Sequence, residues 1–235
     1  MTDKLFQYCE EKLDLKNAKP SNEYYCSLPL CILDAVYSIG VRYAATRNVV
    51  SRYCKKYNLP DFRNKTSDYS SRESQHTVSQ LIENIENVGA ERFAADILNN
   101  LQRTSTRSGI LKSEAVYFWA KIFKEYGVEV LQDVSIIDKK IENEILKIKG
   151  QKSGISLSYF YMLTGNDDLC KPDRHILRFL SEGLQREVKD LNEAQAIMCN
   201  IAKDLKEVHP HLSVRMLDHT IWAYMSSKGN KKICS

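Results

Sequence analysis

The chain has 235 residues, of which 43% are hydrophobic and 27% charged, with a formal net charge of +4. That composition excludes a disordered, collagen-like or mucin-like polypeptide, and the length suits one large domain or two small lobes. No apolar run approaches the ~18 residues of a membrane span, and the N-terminus lacks the basic-then-apolar pattern of a secretory leader; a cytoplasmic protein with no membrane partner is expected.

In chain order, apolar spacing predicts helices near 3–16, 28–39, 45–57, 77–87, 90–100, 110–126, 137–147, 154–164, 173–183, 192–207 and 213–226. Pro29 suits the first turn of the second of these. Stripes such as Val78, Leu81, Ile82 and Ile85, or Val116, Trp119, Ala120 and Phe123, mark the faces to be buried. Between Leu59 and Gln75 the chain turns polar, which predicts a long mobile loop. Ser135 ahead of Asp138, and Asp190 ahead of Glu193, are capping signals, and the tail from Ser226 should fray. Strand-type alternation and Asn-Gly or Asp-Gly turns are missing, so the class is all-α.

Seven cysteines are scattered without a C-x-x-C pair, as expected for reduced thiols. No clustered ligand set suggests zinc or an iron–sulfur centre, so no metal and no cofactor is expected. The charge is uneven. Arg42, Arg47, Arg52, Lys55, Lys56, Arg63 and Lys65 face a single acid, Asp61, within residues 42–65. A second basic stretch, 139–154, carries Lys139, Lys140, Lys147, Lys149 and Lys152 against Glu142 and Glu144. Such patches could meet a phosphate backbone, but charge alone favours a solvated helix face.

The most informative stretch runs from Ile145 to Leu180. A helix ends at Ile148, Lys149-Gly150-Gln151-Lys152 turns, and a second helix follows from about Ser153. A helix start offers unpaired amides and a positive dipole end to phosphate, and Gly150 lets backbone come close. Further on, Gly165 ends the helix and a loop reaches Pro172-Asp173-Arg174-His175-Ile176-Leu177-Arg178.

These residues resemble the helix-hairpin-helix and Gly/Pro-Asp (HhH-GPD) motif of the DNA glycosylase superfamily that includes endonuclease III. That family reads L-P-G-x-G-x-K-T-A, then an apolar helix ending in Gly, then V-D-T-H-x-x-R. Here Ile148-Lys149-Gly150-Gln151-Lys152-Ser153-Gly154-Ile155-Ser156 stands in the hairpin, and Asp173-x-His175-x-x-Arg178 matches residue by residue. Spacings from hairpin to Gly165 and from Gly165 to Asp173 match without gaps. Weaker similarity lies in Leu33 to Tyr43, where Gly40 replaces the family's glutamine, and in Gly109 to Ala115.

The resemblance implies a two-lobed helical fold with a central cleft. One lobe would span 28–165 and hold the hairpin (about 140–164); the other would join 1–27 to 166–235 and carry Asp173. It also implies a monofunctional DNA glycosylase, acting as a monomer on double-stranded DNA and leaving an abasic site, in repair or in defence against modified foreign DNA. Asp173 would be the catalytic carboxylate, stabilising the sugar cation formed when a flipped base departs; a bare Pro-Asp outside such a motif is usually only a helix cap. Gly154 stands where strand-nicking members have their nucleophilic lysine, so little lyase activity is expected. Lys149, Gly150, Gln151, Lys152, Ser153, Gly154, Arg42 and Tyr43 are the candidate DNA contacts; Tyr37, Arg103, Arg107 and Tyr159 are candidate pocket or DNA residues. A non-catalytic helix-hairpin-helix DNA-binding module is the alternative.

Overall fold

The computed structural model describes residues 2–19, 24–41, 43–63 and 69–231. Among them the chain is predominantly helical, as an all-α protein: α1 (Thr2–Lys12), α2 (Leu28–Tyr37), α3 (Tyr43–Tyr57), α4 (Val78–Glu86), α5 (Ala90–Arg92), α6 (Lys112–Glu125), α7 (Lys139–Lys147), α8 (Ile155–Thr164), α9 (Arg174–Leu184), α10 (Leu191–Lys206) and α11 (Val214–Lys231). It forms two compact units, 22–165 and 1–21 with 166–235.

The 22–165 unit is built around α2, all ten residues of which are buried, as its unbroken apolar run dictates. Pro29 sits in its first turn. Packed on it are α3, α6 and α8, and Trp119, Phe123 and Phe160 meet as rings 5.4–6.2 Å apart. Lys112 is buried beside this core, where its Nζ donates to Tyr37 O (2.9 Å), Ile39 O (2.8 Å) and Gln102 Oε1 (3.3 Å). The two carbonyls lie at the end of α2, so the ammonium satisfies acceptors that a helix leaves open and meets its negative dipole end.

Two short strands, β1 (Tyr24–Tyr25) and β2 (Phe62–Arg63), pair antiparallel. This pairing draws residues 24–27 into the 22–165 unit, a few residues before the sequence boundary at 28. The described part of the polar stretch from Leu59 to Gln75 is fastened: Arg63 is buried, its guanidinium donating to Tyr25 O and Thr164 O and lying over the Tyr24 and Tyr69 rings. Five residues of the expected mobile loop, 64–68, lie outside the described residues.

The other unit packs α1, α9, α10 and α11. Ile176, Phe179, Leu180 and Gly183 form the buried face of α9 at helical spacing. Gly183 admits α1 closely, because a Cβ there would fall 2.7 Å from Leu5 Cδ1. His209, buried after α10, meets Glu10 Oε1 at 2.7 Å and ties α1 to that end.

Several ends differ from the sequence expectation. Asp138, not Ser135, caps α7, accepting from the amides of Lys140 and Ile141; Ser135 belongs to a 3₁₀ turn, Leu131–Ile136. Asp190 caps α10 through Glu193 N at 2.7 Å, while a reciprocal capping box occurs at Thr77 and Gln80. The segment read as a helix over 90–100 passes from α5 into a π-helix, Phe93–Ile97. Helix α11 runs to Lys231, past the expected fraying point at Ser226. No helix among the described residues is long and apolar enough to cross a membrane.

Candidate functional site

The turn between α7 and α8 is built on two glycines in left-handed backbone, Gly150 (φ +94°) and Gly154 (φ +75°). Within it, Gln151 N donates to Ile148 O and Gly154 N to Gln151 O. Gly154 caps α8, whose first amides have no intrahelical acceptor. Lys149, Lys152 and Ser153 are exposed at its tip.

Gln151 corrects the sequence expectation. Its side chain is only 2% exposed and its amide is already used inside the turn, so it offers no contact to a strand outside. The side-chain Oε1 is buried without a hydrogen-bond partner among the described residues.

A second turn abuts the first. Residues 102–112 form a small hairpin in which Thr104 N donates to Ile110 O and Lys112 N to Gln102 O. Its Thr104 fills the space over Gly150: a Cβ on that glycine would lie 2.3 Å from Thr104 Cβ and 2.5 Å from its Oγ1. Arg103 and Arg107, both exposed, are thereby brought beside the turn that carries Lys149 and Lys152. Arg103 also donates to Gly109 O at 2.8 Å, which braces its own hairpin. A groove of about 690 Å³ that includes Lys149 is lined by Ile122, Ile148, Lys124 and Lys147 together with Glu125 and Glu144, so its charge is mixed.

Gly150→Ala tests this seam. Left-handed backbone and the overlap with Thr104 act together, so a loss of about 2–3 kcal/mol in chemical denaturation is expected. Adding Thr104→Gly should recover only the part due to overlap. A single variant as stable as the parent would contradict the packing of the two turns.

The remaining candidates of the 22–165 unit divide. Tyr37 is fully buried in α2 with its hydroxyl facing Ser113, and burial pushes the phenol well above its ordinary range. It cannot reach a ligand, which corrects the expected pocket role. Tyr43 and Tyr159 are half-buried, and both lie close enough to Tyr25 to influence its ionisation. Tyr25 OH donates to Asp34 Oδ2 at 2.6 Å, and the Tyr25 ring stacks on Phe62, which carries the Arg47 guanidinium at 4.5 Å. The sequence reading passed over Asp34, although an acid inside the apolar run of α2 is the signal that marks it. Arg42 lies outside the described residues.

In the other unit, Asp173 is half-buried and caps α9. Its Oδ1 accepts from His175 N at 2.8 Å and Ile176 N at 3.3 Å. Pro172 precedes Asp173, outside the helix. Arg178 of the same motif is exposed and pairs with Glu182 at 2.9 Å. The preceding turn is held by side chains from two helices: Gln195 Oε1 accepts Cys170 N at 3.1 Å, and Asp218 Oδ1 accepts Lys171 N at 3.0 Å. Neither Gln195 nor Asp218 was singled out by the sequence.

No curated protein and no solved structure matches the chain. The family model described as a domain of unknown function, DUF8548, matches residues 3–226, and the chain belongs to that family.

Proposed function

We propose that the protein is a monofunctional DNA glycosylase, which hydrolyses the N-glycosidic bond of a flipped damaged or modified base and leaves an abasic site. The observation that carries this reading is the order of local structures along residues 139–184. A helix, a turn with two left-handed glycines, a helix closed by Gly165 in left-handed backbone, and an aspartate capping the next helix follow one another as in the glycosylase motif.

In this reading the α7–α8 turn and the adjoining Arg103–Arg107 turn grip the phosphate backbone of double-stranded DNA without reading sequence. Asp173 supplies a fixed negative charge beside the sugar as the base departs. The same carboxylate orients the attacking water. Gly154 accounts for the absence of lyase chemistry, since its left-handed backbone is strained for any side chain, a lysine included. Lys152, exposed at the turn, serves phosphate.

Mass spectrometry of free bases tests the proposal. The protein is incubated with duplexes carrying oxidised, alkylated, deaminated and hypermodified bases. Release of one class, with strands intact until alkali, is the expected result. Salt-sensitive binding without release from any duplex would favour the non-catalytic DNA-binding module. Lys152→Ala should weaken binding equally on all sequences and reduce the slope of log K against log salt by about 0.9. An unchanged slope would remove Lys152 from the interface.

A further inference from the structure

The turn that presents Asp173 is fastened at every amide it has. Cys170 N donates to Gln195 of α10, Lys171 N to Asp218 of α11, and Asp173 N to Lys171 O at 2.6 Å. Pro172, the remaining residue, has no amide and a fixed φ. Asp218 is therefore one hydrogen bond from the peptide that orients Asp173.

Holding that amide requires only an acceptor, which asparagine or serine would provide. A carboxylate brings something more, a second negative charge within electrostatic reach of the first. Resting on the glycosylase reading, we infer that Asp218 is a positioning residue for Asp173: its oxygen holds the turn that aims the Asp173 carboxylate, and its ionisation adds to the negative field of that turn.

The groups around Asp218 are Lys171, Asp173 and Cys170 from the turn and Arg215 from its own helix, with Asp167 paired to Arg215 at 3.5 Å. Burial, with the Asp173 charge added, pushes the Asp218 carboxyl up to about 7; the Lys171 amide and the Lys171 and Arg215 charges act in the opposite sense. Above that pH two negative charges face a developing sugar cation, and below it one does. Base release should therefore rise as pH passes upward through about 7.

The sign for stability is opposite. A carboxyl whose folded value is raised contributes stability fully present below its unfolded value near 4, and loses it as pH rises through about 7. Asp218→Asn, which removes the charge and keeps the acceptor, should melt above the parent at pH 8, by a margin that shrinks as pH falls toward 4.

Asp218→Asn and Asp218→Leu separate the two roles. With the asparagine variant, base release is expected within about threefold of the parent at pH 6 and without the step near pH 7. With leucine, release should fall at least about tenfold at every pH, because the Lys171 amide loses its acceptor and the turn shifts. A parent-like pH profile in Asp218→Asn, or parent-like rates in Asp218→Leu, would overturn the inference while leaving the glycosylase reading intact. Carboxyl ¹³C titration gives a readout that needs neither activity nor the leucine variant. In Asp173→Asn the Asp218 carboxyl should titrate below its parent value, because a like charge has gone. An unmoved titration refutes the pairing. A parent that releases no base from any duplex, with this titration shift present, refutes the glycosylase reading and leaves the fastened pair standing.

Discussion

Asp173→Asn is expected to abolish base release, by at least about 10³-fold, while the protein keeps its fold and its affinity for DNA. Asparagine is as good a helix cap as aspartate, and its Oδ1 can still accept the amides of His175 and Ile176. The substitution thus removes charge and proton affinity while leaving the start of α9 in place. This is what separates the chemical role from the capping role, which the wild-type geometry alone also satisfies. Single-turnover release on the preferred duplex measures the first, and thermal melting with a salt titration of DNA binding controls for the second. Should Asp173→Asn release base as fast as the parent, Asp173 is a cap and the chemistry lies elsewhere. Asp173→Ala, which loses both cap and charge, should add a stability cost of about 1 kcal/mol.

Lys112→Met should cost about 2–4 kcal/mol of stability. The methionine fills much of the same volume but donates nothing. Tyr37 O and Ile39 O, which take two of the lysine's hydrogen bonds, lose that donor, as does Gln102 Oε1 at the base of the Arg103–Arg107 hairpin. The expected consequence is double. The melting temperature falls by roughly 4–16 °C, given about 2–4 °C per kcal/mol for a chain of this size. The hairpin that buttresses Gly150 also loosens, so hydrogen exchange should quicken at Thr104 N, whose bond to Ile110 O closes that hairpin. A melting temperature within 1 °C of the parent would show that other donors replace the ammonium.

Much of the helical order was legible because burial is written into the composition of the helices. The run Leu28–Tyr37 has almost no polar residue, and the stripe Val78, Leu81, Ile82 and Ile85 keeps helical spacing. Short features were not legible. Two-residue strands have no period to read, and the π-helix Phe93–Ile97 uses residues that suit an α-helix equally. Ser135 and Asp138 offer two caps three residues apart. The chain uses the second because Leu131 and Asp133 are buried in the 3₁₀ turn that occupies the first.

At the candidate site, local sequence announced the α7–α8 turn and the Asp173 cap, since both rest on residue types at fixed spacing. Gln151 and Tyr37 were candidates through their place in or near the motif segments, and tertiary packing buries both side chains. Local sequence could not announce Thr104 over Gly150, nor Asp218 on Lys171, because these partners lie 46 and 47 residues apart and only the fold joins them.

The two units are not equal in the order of synthesis. Residues 22–165 are contiguous, so the unit with both basic turns has its whole chain available while residues 166–235 are still being made. The unit bearing Asp173 is closed from both chain ends, and α1 must wait for α9 and α10 to emerge before its own core exists. Joining those ends across more than 140 residues costs only a slowly growing loop entropy. During translation, therefore, the basic turns can be assembled before the Asp173 turn is in place, and truncation within α9 or α10 would leave the 22–165 unit with its whole chain and the other unit without its core.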